Sequence, residues 1–326
     1  MENLVYWNGE IMPGGRLGIS SGDGGFLYGH GVFETMLVHR GKVVFLQEHL
    51  QRLFESLGKI NIIVHSGFRD FAGSLENAVE CVIEVNGLAN GSLRLTVSAG
   101  DVTRLADYRP SGLKSMASGV GGVARTVDQE LAQTIWSTVD GGDTSFPGRG
   151  FNTLISCKHG PKYLPGHYNK GFAVGISRIK RNQHSPLVYI KSTNYLESIL
   201  AREEAVQNGW DEALFENVTG YLTEGSVSNL FLVKERVVFT PSVECGLLPG
   251  IIRGKVLKIA LGLGYQTMEA HLTSSDLFAA SEAFLTNSLM GVMPLVKASA
   301  QAVGSGKPGP VTGEIAGVYN EMVSGI

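Results

Sequence analysis

The sequence predicts an α+β protein of two unequal domains, and three observations carry that expectation. At 326 residues the chain exceeds what one hydrophobic core usually supports. Its 43% hydrophobic and 17% charged content describes a globular chain with a large core rather than a disordered one. Helical and alternating patterns occur on both sides of a stretch, residues 102–150, in which periodicity fades and glycines cluster.

The first unit covers residues 1–101. In it VVFLQEHLQRLFESLGKI places Leu46, Leu50, Leu53 and Leu57 on one stripe of a helix, and SLRLTVSAG alternates as a strand. Residues 102–150 read as a linker with an insertion, glycine-rich at SGVGGVA and DGGDTSFPGRG, with a short helical pattern in VDQELAQTIWSTV. The larger unit covers residues 151–326. Its apolar runs FAVGIS, LVYI, EALF, NLFLV and RVVFT read as strands, and YLESILAREEAVQNG and IIRGKVLKIALGLG as helices. Asn194 is a candidate N-cap for the first of these helices, and GSGKPGPVTGE makes a Pro/Gly turn before a last helix near residues 315–323.

Composition removes several function classes. A net charge of −3 gives no electrostatic case for nucleic acid or an acidic membrane surface. Cys81, Cys157 and Cys245 are odd in number and lack CxxC spacing, so neither a disulfide framework nor a metal site is indicated. MENLVYWNGE lacks the basic start and apolar core of a signal peptide, and no apolar run approaches the ~20 residues of a membrane helix. A cytoplasmic protein is the expectation. The 43 glycines imply many tight turns or close approaches of backbone to a ligand.

The most informative stretch runs from Val188 to Asn229. Lys191 follows the apolar run LVYI, and Glu224 stands in LTEGSVSNLF. A lysine at the end of a regular element, desolvated in a cleft, has the lowered pKa that an imine-forming nucleophile needs. A buried acid on a separate element can keep a heteroaromatic nitrogen protonated. Pyridoxal phosphate requires both. Its phosphate needs small donors, which GLLPGIIRGKVLKIA offers where a Pro-Gly turn enters a helix, through the amides of Gly250, Ile251 and Ile252. FLTNSLMG offers Thr286, Asn287 and Ser288, and Arg52 on the first helix can add a bidentate contact. Each of these alone reads as an ordinary cap, loop or surface charge; together they answer the separate demands of one cofactor.

Two competing motifs lack their structural context. Gly119 to Ala124 fits GxGxxA but follows no apolar strand, and Gly18 to Gly22 fits GxSxG without a strand-to-helix elbow.

The chain resembles the class IV aminotransferase family through YGHGVFET, FLQEHLQRLFESL, IKSTNYLESILAREEA, DEALFENVTGYLTEGSVSNLFLV, TPSVECGLLPGIIR and SEAFLTNSLMGVMPLV. The resemblance covers most of the chain outside residues 102–150. It implies a small N-terminal α/β sandwich, a larger barrel-like β domain with flanking helices, pyridoxal 5'-phosphate in the cleft between them, and a homodimer acting on a small amino substrate. Carried over by position, Lys191 resembles the Schiff-base lysine, Glu224 the partner of the pyridine nitrogen, and Arg52 the phosphate arginine of the HLxRL motif. Ile251 and Ile252 match the pair whose amides hold the phosphate, the second without the hydroxyl common in relatives. Asn287 and Ser288 match the other phosphate loop. Tyr195 falls near the cofactor ring, Phe33 in the substrate pocket, and Arg104 where some relatives bind a carboxylate across the dimer. His30 replaces an aspartate frequent in relatives and reads as a turn residue. Within the family, NSLMGVMPLV and GKPGPVT look most like 4-amino-4-deoxychorismate lyases, which release pyruvate and leave 4-aminobenzoate for folate synthesis; Thr35 then supplies a hydroxyl near the leaving group. A transaminase of D- or branched-chain amino acids is the alternative.

Overall fold

The computed structural model describes residues 3–102 and 150–326. Arg104, the glycine motif at 119–124 and the helical pattern at 127–139 lie outside the described residues.

The first unit is a sheet covered on one face by two helices. In chain order it contains β1 (Leu4–Trp7), β2 (Glu10–Pro13), α1 (Gly24–Tyr28), β3 (Gly31–His39), β4 (Lys42–Val43), α2 (Leu46–Lys59), α3 (Gly67–Val85), β5 (Gly91–Ser98) and β6 (Asn152–His159). The strands lie in the order β2-β1-β6-β5-β3-β4, with every pairing antiparallel. Strand β6 corrects the expected boundary. The sequence pattern puts residues from 151 onward in the larger domain, yet β6 pairs with β5 over its whole length, from Gly91↔His159 to Ser98↔Asn152. Leu50, Leu53 and Leu57 of the expected stripe are buried against Leu93, Leu95 and Ile155 of the sheet. Period-2 alternation then turns the other side chains of β3, β5 and β6 to the opposite face.

The second unit follows as α4 (Pro165–Lys170), β7 (Phe172–Arg181), α5 (Leu196–Gln207), β8 (Glu212–Asn217), β9 (Leu222–Gly225), β10 (Asn229–Lys234), β11 (Val237–Pro241), α6 (Ile251–Gly262), β12 (Gln266–Ala270), α7 (Ser274–Phe278), β13 (Glu282–Asn287), β14 (Gly291–Ala298) and α8 (Pro310–Ser324). Its sheet runs β12-β11-β10-β13-β14-β7-β8-β9, and the pairing of β9 with β10 at Glu224↔Asn229 closes six of these strands into a ring. Closure explains why EALF and NLFLV read as continuous apolar runs: both faces of such strands are covered. Phe231 and Phe284, opposite each other on β10 and β13, stack at 4.8 Å between α6, α8 and the sheet.

LVYI is not a strand. Pro186–Tyr189 forms a 3-10 turn in which Ser185 accepts a hydrogen bond from the Leu187 N–H. Pro186 fixes φ and has no N–H for a ladder, which decides the local choice against a strand. The N-cap of α5 is Tyr195, not Asn194, whose amide instead donates to the Gly29 carbonyl at 2.7 Å. Among the described residues no helix is long and apolar enough to cross a membrane. Cys81, Cys157 and Cys245 are free thiols.

Candidate active site

A cavity of about 560 Å³ lies between the first sheet and the barrel. Phe33 and Thr35 of β3, Arg94 of β5 and Ser156 of β6 form one wall, with Thr35 opposite Arg94 and Arg94 opposite Ser156 in the register. Lys191, Tyr195, Glu224, Gly250, Ile251, Ile252, Asn287 and Ser288 line the remainder, and Arg52 reaches it from α2. The structure therefore brings together every described residue that the sequence nominated.

Lys191 is held by backbone rather than by a strand of its own. The Phe33 N–H donates to the Lys191 carbonyl at 2.9 Å, and the Thr193 N–H to the Gly31 carbonyl at 2.9 Å, so the segment zips onto the start of β3. Its Nζ sits 4.6 Å from the centroid of the Phe33 ring. Burial, reinforced by the Arg52 charge and opposed by Glu34 and Glu224, lowers its pKa to about 8. Roughly a tenth is then neutral amine at pH 7, far more than for an ordinary lysine.

Glu224 is 8% exposed. Its Oε2 accepts from the Leu248 N–H at 3.1 Å and its Oε1 from Arg181 Nη2 at 3.4 Å. Burial raises its pKa to about 7, only partly offset by Arg181, which also pairs with Glu197 at 2.9 Å. The Tyr195 ring meets Phe33 edge-on at 5.4 Å, and its hydroxyl donates to the Ser226 carbonyl at 2.9 Å. Burial, with Glu224 and Glu212 nearby, pushes the phenol up to about 12. Its hydroxyl proton is given to backbone, so the residue also holds the 226 loop.

The anion-binding part has three components. Gly250 is the N-cap of α6, with extended φ −68° and ψ 143° and no side-chain cap, so the first amides of the helix have no intrahelical acceptor. A Cβ at Gly250 would collide with the Asn229 side chain, which itself donates to the Leu248 carbonyl at 2.9 Å. Thr286 has a buried Oγ1 with no hydrogen-bond partner. Asn287 also braces its own turn. Its Nδ2 donates to the Val227 carbonyl at 3.0 Å, and its Oδ1 accepts from the Leu289 and Met290 N–H groups at 2.9 Å. The side chain shapes the turn with these bonds, and Thr286 and Ser288 add hydroxyls to the same loop beside it.

The third component depends on Glu34, which the sequence reading missed. Glu34 alternates to the helix-facing side of β3, where His49 and Arg52 lie three residues apart on α2. Arg52 Nε and Nη2 donate to its two carboxylate oxygens at 2.7 and 2.6 Å, and His49 Nδ1 donates at 2.6 Å. That fork leaves the Nη1 edge of Arg52 for the cavity. Burial alone would raise the Glu34 pKa, but the charge of Arg52 and the hydrogen bonds from His49 and Arg52 outweigh it and lower the pKa to about 2. Its stabilisation is thus present above the ordinary value of 4.5 and is lost as pH falls through about 2. We expect Glu34→Gln to weaken cofactor affinity about tenfold by releasing the Arg52 fork. Fluorescence titration of the apoprotein measures this; an unchanged affinity would show that Arg52 is positioned otherwise.

Arg94 was also missed. Its guanidinium stacks 3.7 Å from the Phe33 centroid and meets no carboxylate among the described residues. Only the β3–β5 register, which a single strand pattern does not reveal, identifies its neighbours. His30 does not line the cavity; its Nε2 donates to the Ile60 carbonyl at 2.7 Å, in keeping with a turn role.

The amino-transferase class IV family model matches residues 31–118 and 122–298. A branched-chain-amino-acid aminotransferase of Pseudomonas aeruginosa is 30% identical over 302 residues, covering 91% of this chain and 85% of its own length. A D-alanine aminotransferase of Bacillus licheniformis is 26% identical over 309 residues, covering 94% and 93%. Among solved structures, a T.th. branched-chain amino acid aminotransferase with pyridoxamine 5'-phosphate superposes with a TM-score of 0.79 at 25% identity, covering 100% of this chain and 95% of its own. A Legionella pneumophila protein named as a 4-amino-4-deoxychorismate lyase superposes at 0.73 with 24% identity, covering 94% and 96%, a likeness of fold alone. With most of its length matched and its barrel and sheet shared end to end, the chain belongs to the class IV aminotransferase family, enzymes of the transaminase and lyase type that use pyridoxal phosphate.

Proposed function

We propose that the protein is a lyase that converts 4-amino-4-deoxychorismate into 4-aminobenzoate and pyruvate. The observation that carries this reading is the pairing of Thr35 with Arg94 on the cavity wall. A leaving enolpyruvate carries a carboxylate and must be protonated. Arg94 offers an uncommitted cation and Thr35 a hydroxyl beside it, directly across the strand pair. The likeness of NSLMGVMPLV to the lyases of the family points the same way.

The residues present fit pyridoxal phosphate. Arg52 Nη1, the first amides of α6 and the partnerless Thr286 hydroxyl suit the phosphate, and Glu224 can share a proton with the ring nitrogen. When bound, the cofactor supplies an aldehyde that captures the substrate amine and an electron sink for the adjoining carbon. Lys191 in its neutral form takes the proton from the carbon that bears the amine. The electron pair left behind makes the ring aromatic as the C–O bond to the enolpyruvyl group breaks, and no oxidant is needed. Arg94 holds the departing carboxylate, and Thr35 delivers a proton toward it. Phe33, whose ring contacts both Lys191 and Arg94, adds an apolar surface beside the reacting region.

Incubation with 4-amino-4-deoxychorismate, followed by 4-aminobenzoate fluorescence, tests the proposal. Absence of product, with amino transfer to pyruvate or 2-oxoglutarate instead, overturns it in favour of a transaminase. That second reading is supported by the branched-chain and D-alanine aminotransferases among the relatives.

The same reading includes a homodimer. Phe26, Leu27 and Tyr28 of α1 and Leu196, Ile199 and Leu200 of α5 are exposed, and the two helices meet through the Asn194–Gly29 hydrogen bond. Light scattering should give twice the chain mass; a monomer at micromolar concentration overturns this part.

A further inference from the structure

Alternation along the first sheet sets which side chains face the cavity. Leu93, Leu95, Ile155 and Cys157 point into the helix-covered core, while Ser92, Arg94, Ser156 and Lys158 line the cavity. Arg94 is opposite Ser156, and Ser92 is opposite Lys158. Lys158 is therefore the diagonal neighbour of Arg94, about 7–8 Å away by sheet geometry. The turn after β6 adds Lys162 to the same wall, its Nζ 5.2 Å from the Tyr163 ring centroid.

Besides Lys191, the arginines and lysines of this cavity fall into two groups. Arg52 and Arg181 are tied to Glu34, Glu197 and Glu224. Arg94, Lys158 and Lys162 make no ion pair with a carboxylate among the described residues. The single carboxylate lining the cavity among those residues is Glu224, which Arg181 already contacts. Like charges along one wall disfavour each other, and an anionic ligand bridging them removes that cost. An apolar substrate end placed against the same wall would strip water from cations without replacing it.

We propose that Lys158 and Lys162 form a second carboxylate subsite beside Arg94, so that the enzyme selects substrates with two carboxylates over those with one carboxylate and an apolar end. The inference rests on the reading of this cavity as the substrate site and narrows its substrate class. It does not require that the reaction be elimination.

The test is calorimetric binding to the holoenzyme of chorismate, which has two carboxylates, and of shikimate, which has one on a similar ring. Wild type should prefer chorismate. The double variant Lys158→Met with Lys162→Met should weaken chorismate about tenfold, while shikimate changes less than about twofold. Arginine at both positions should restore the preference, and added salt should shrink it. Lys297→Met, at an exposed lysine outside the cavity, serves as the charge-loss control and should change neither ligand. Equal weakening of both ligands, or no preference for chorismate in the wild type, overturns the subsite. Failure of the lyase reading looks different: no 4-aminobenzoate forms, although chorismate is still preferred. Conversely, product formation without that preference sinks the subsite and leaves the lyase standing.

Discussion

Lys191→Ala should abolish covalent attachment of the cofactor and lower turnover by at least about 10³-fold, because one side chain provides both the nucleophilic amine and the proton acceptor. The fold should survive. Among the described residues Nζ makes no hydrogen bond that a partner would lose, and alanine removes a cation whose burial is unfavourable. The phosphate donors at α6, Arg52 and Thr286 are untouched, so the variant should still bind pyridoxal phosphate without trapping it on borohydride reduction. Mass spectrometry after reduction reads the difference directly. In the wild-type apoprotein, the rate of covalent capture should rise with pH through about 8, where Lys191 loses its proton, and not near the ordinary lysine value of 10.5. A reducible adduct in the alanine variant would place the reactive amine elsewhere and end the assignment.

Much of this site was legible because its signals are local in the chain. A Pro-Gly pair entering an apolar helix announces free amides at Gly250 to Ile252, and no tertiary information is needed to see them. Lys191 and Glu224 stood out locally too, one as a charge at the end of an apolar run and the other as a charge in a Gly/Ser-flanked strand. What was missed depends on pairing. Glu34 sits between Phe33 and Thr35, and only the position of α2 shows that it braces Arg52 from the far face of the strand. Arg94 alternates like any exposed strand residue until β3 and β6 are laid beside β5. The domain boundary slipped because β6 returns to the first sheet after a long excursion in sequence, a contact between distant segments that periodicity does not encode. Asn287 was nominated by residue type and by its place in a loop that resembles the family's, and neither shows that its amide also caps its own turn.

Glu224→Gln should trade activity for stability of the apoprotein. Turnover is expected to fall about 10²-fold, because a neutral amide cannot keep the ring nitrogen protonated and the electron sink weakens. The effect on folding has the opposite sign. Burial raises the folded-state pKa of Glu224 from 4.5 to about 7. A raised pKa means that the folded state holds the proton more tightly than the unfolded chain. The resulting stabilisation is complete below about 4.5 and is lost as pH rises through about 7. Above pH 7 the native apoprotein therefore carries a buried carboxylate anion at 8% exposure, with one shared contact to Arg181 and one N–H from Leu248. Glutamine keeps the shape and removes the charge. Denaturant unfolding of the apoprotein at pH 8 should show the variant more stable by on the order of 2 kcal/mol, with the gap closing toward pH 5. A variant less stable than wild type at pH 8 would mean that the Arg181 contact outweighs burial, and the acid would then be a structural anchor for α5. A stabilised, slow enzyme is the outcome that ties Glu224 to the cofactor: its burial is unfavourable in the empty site and useful only when a ring nitrogen stands against it.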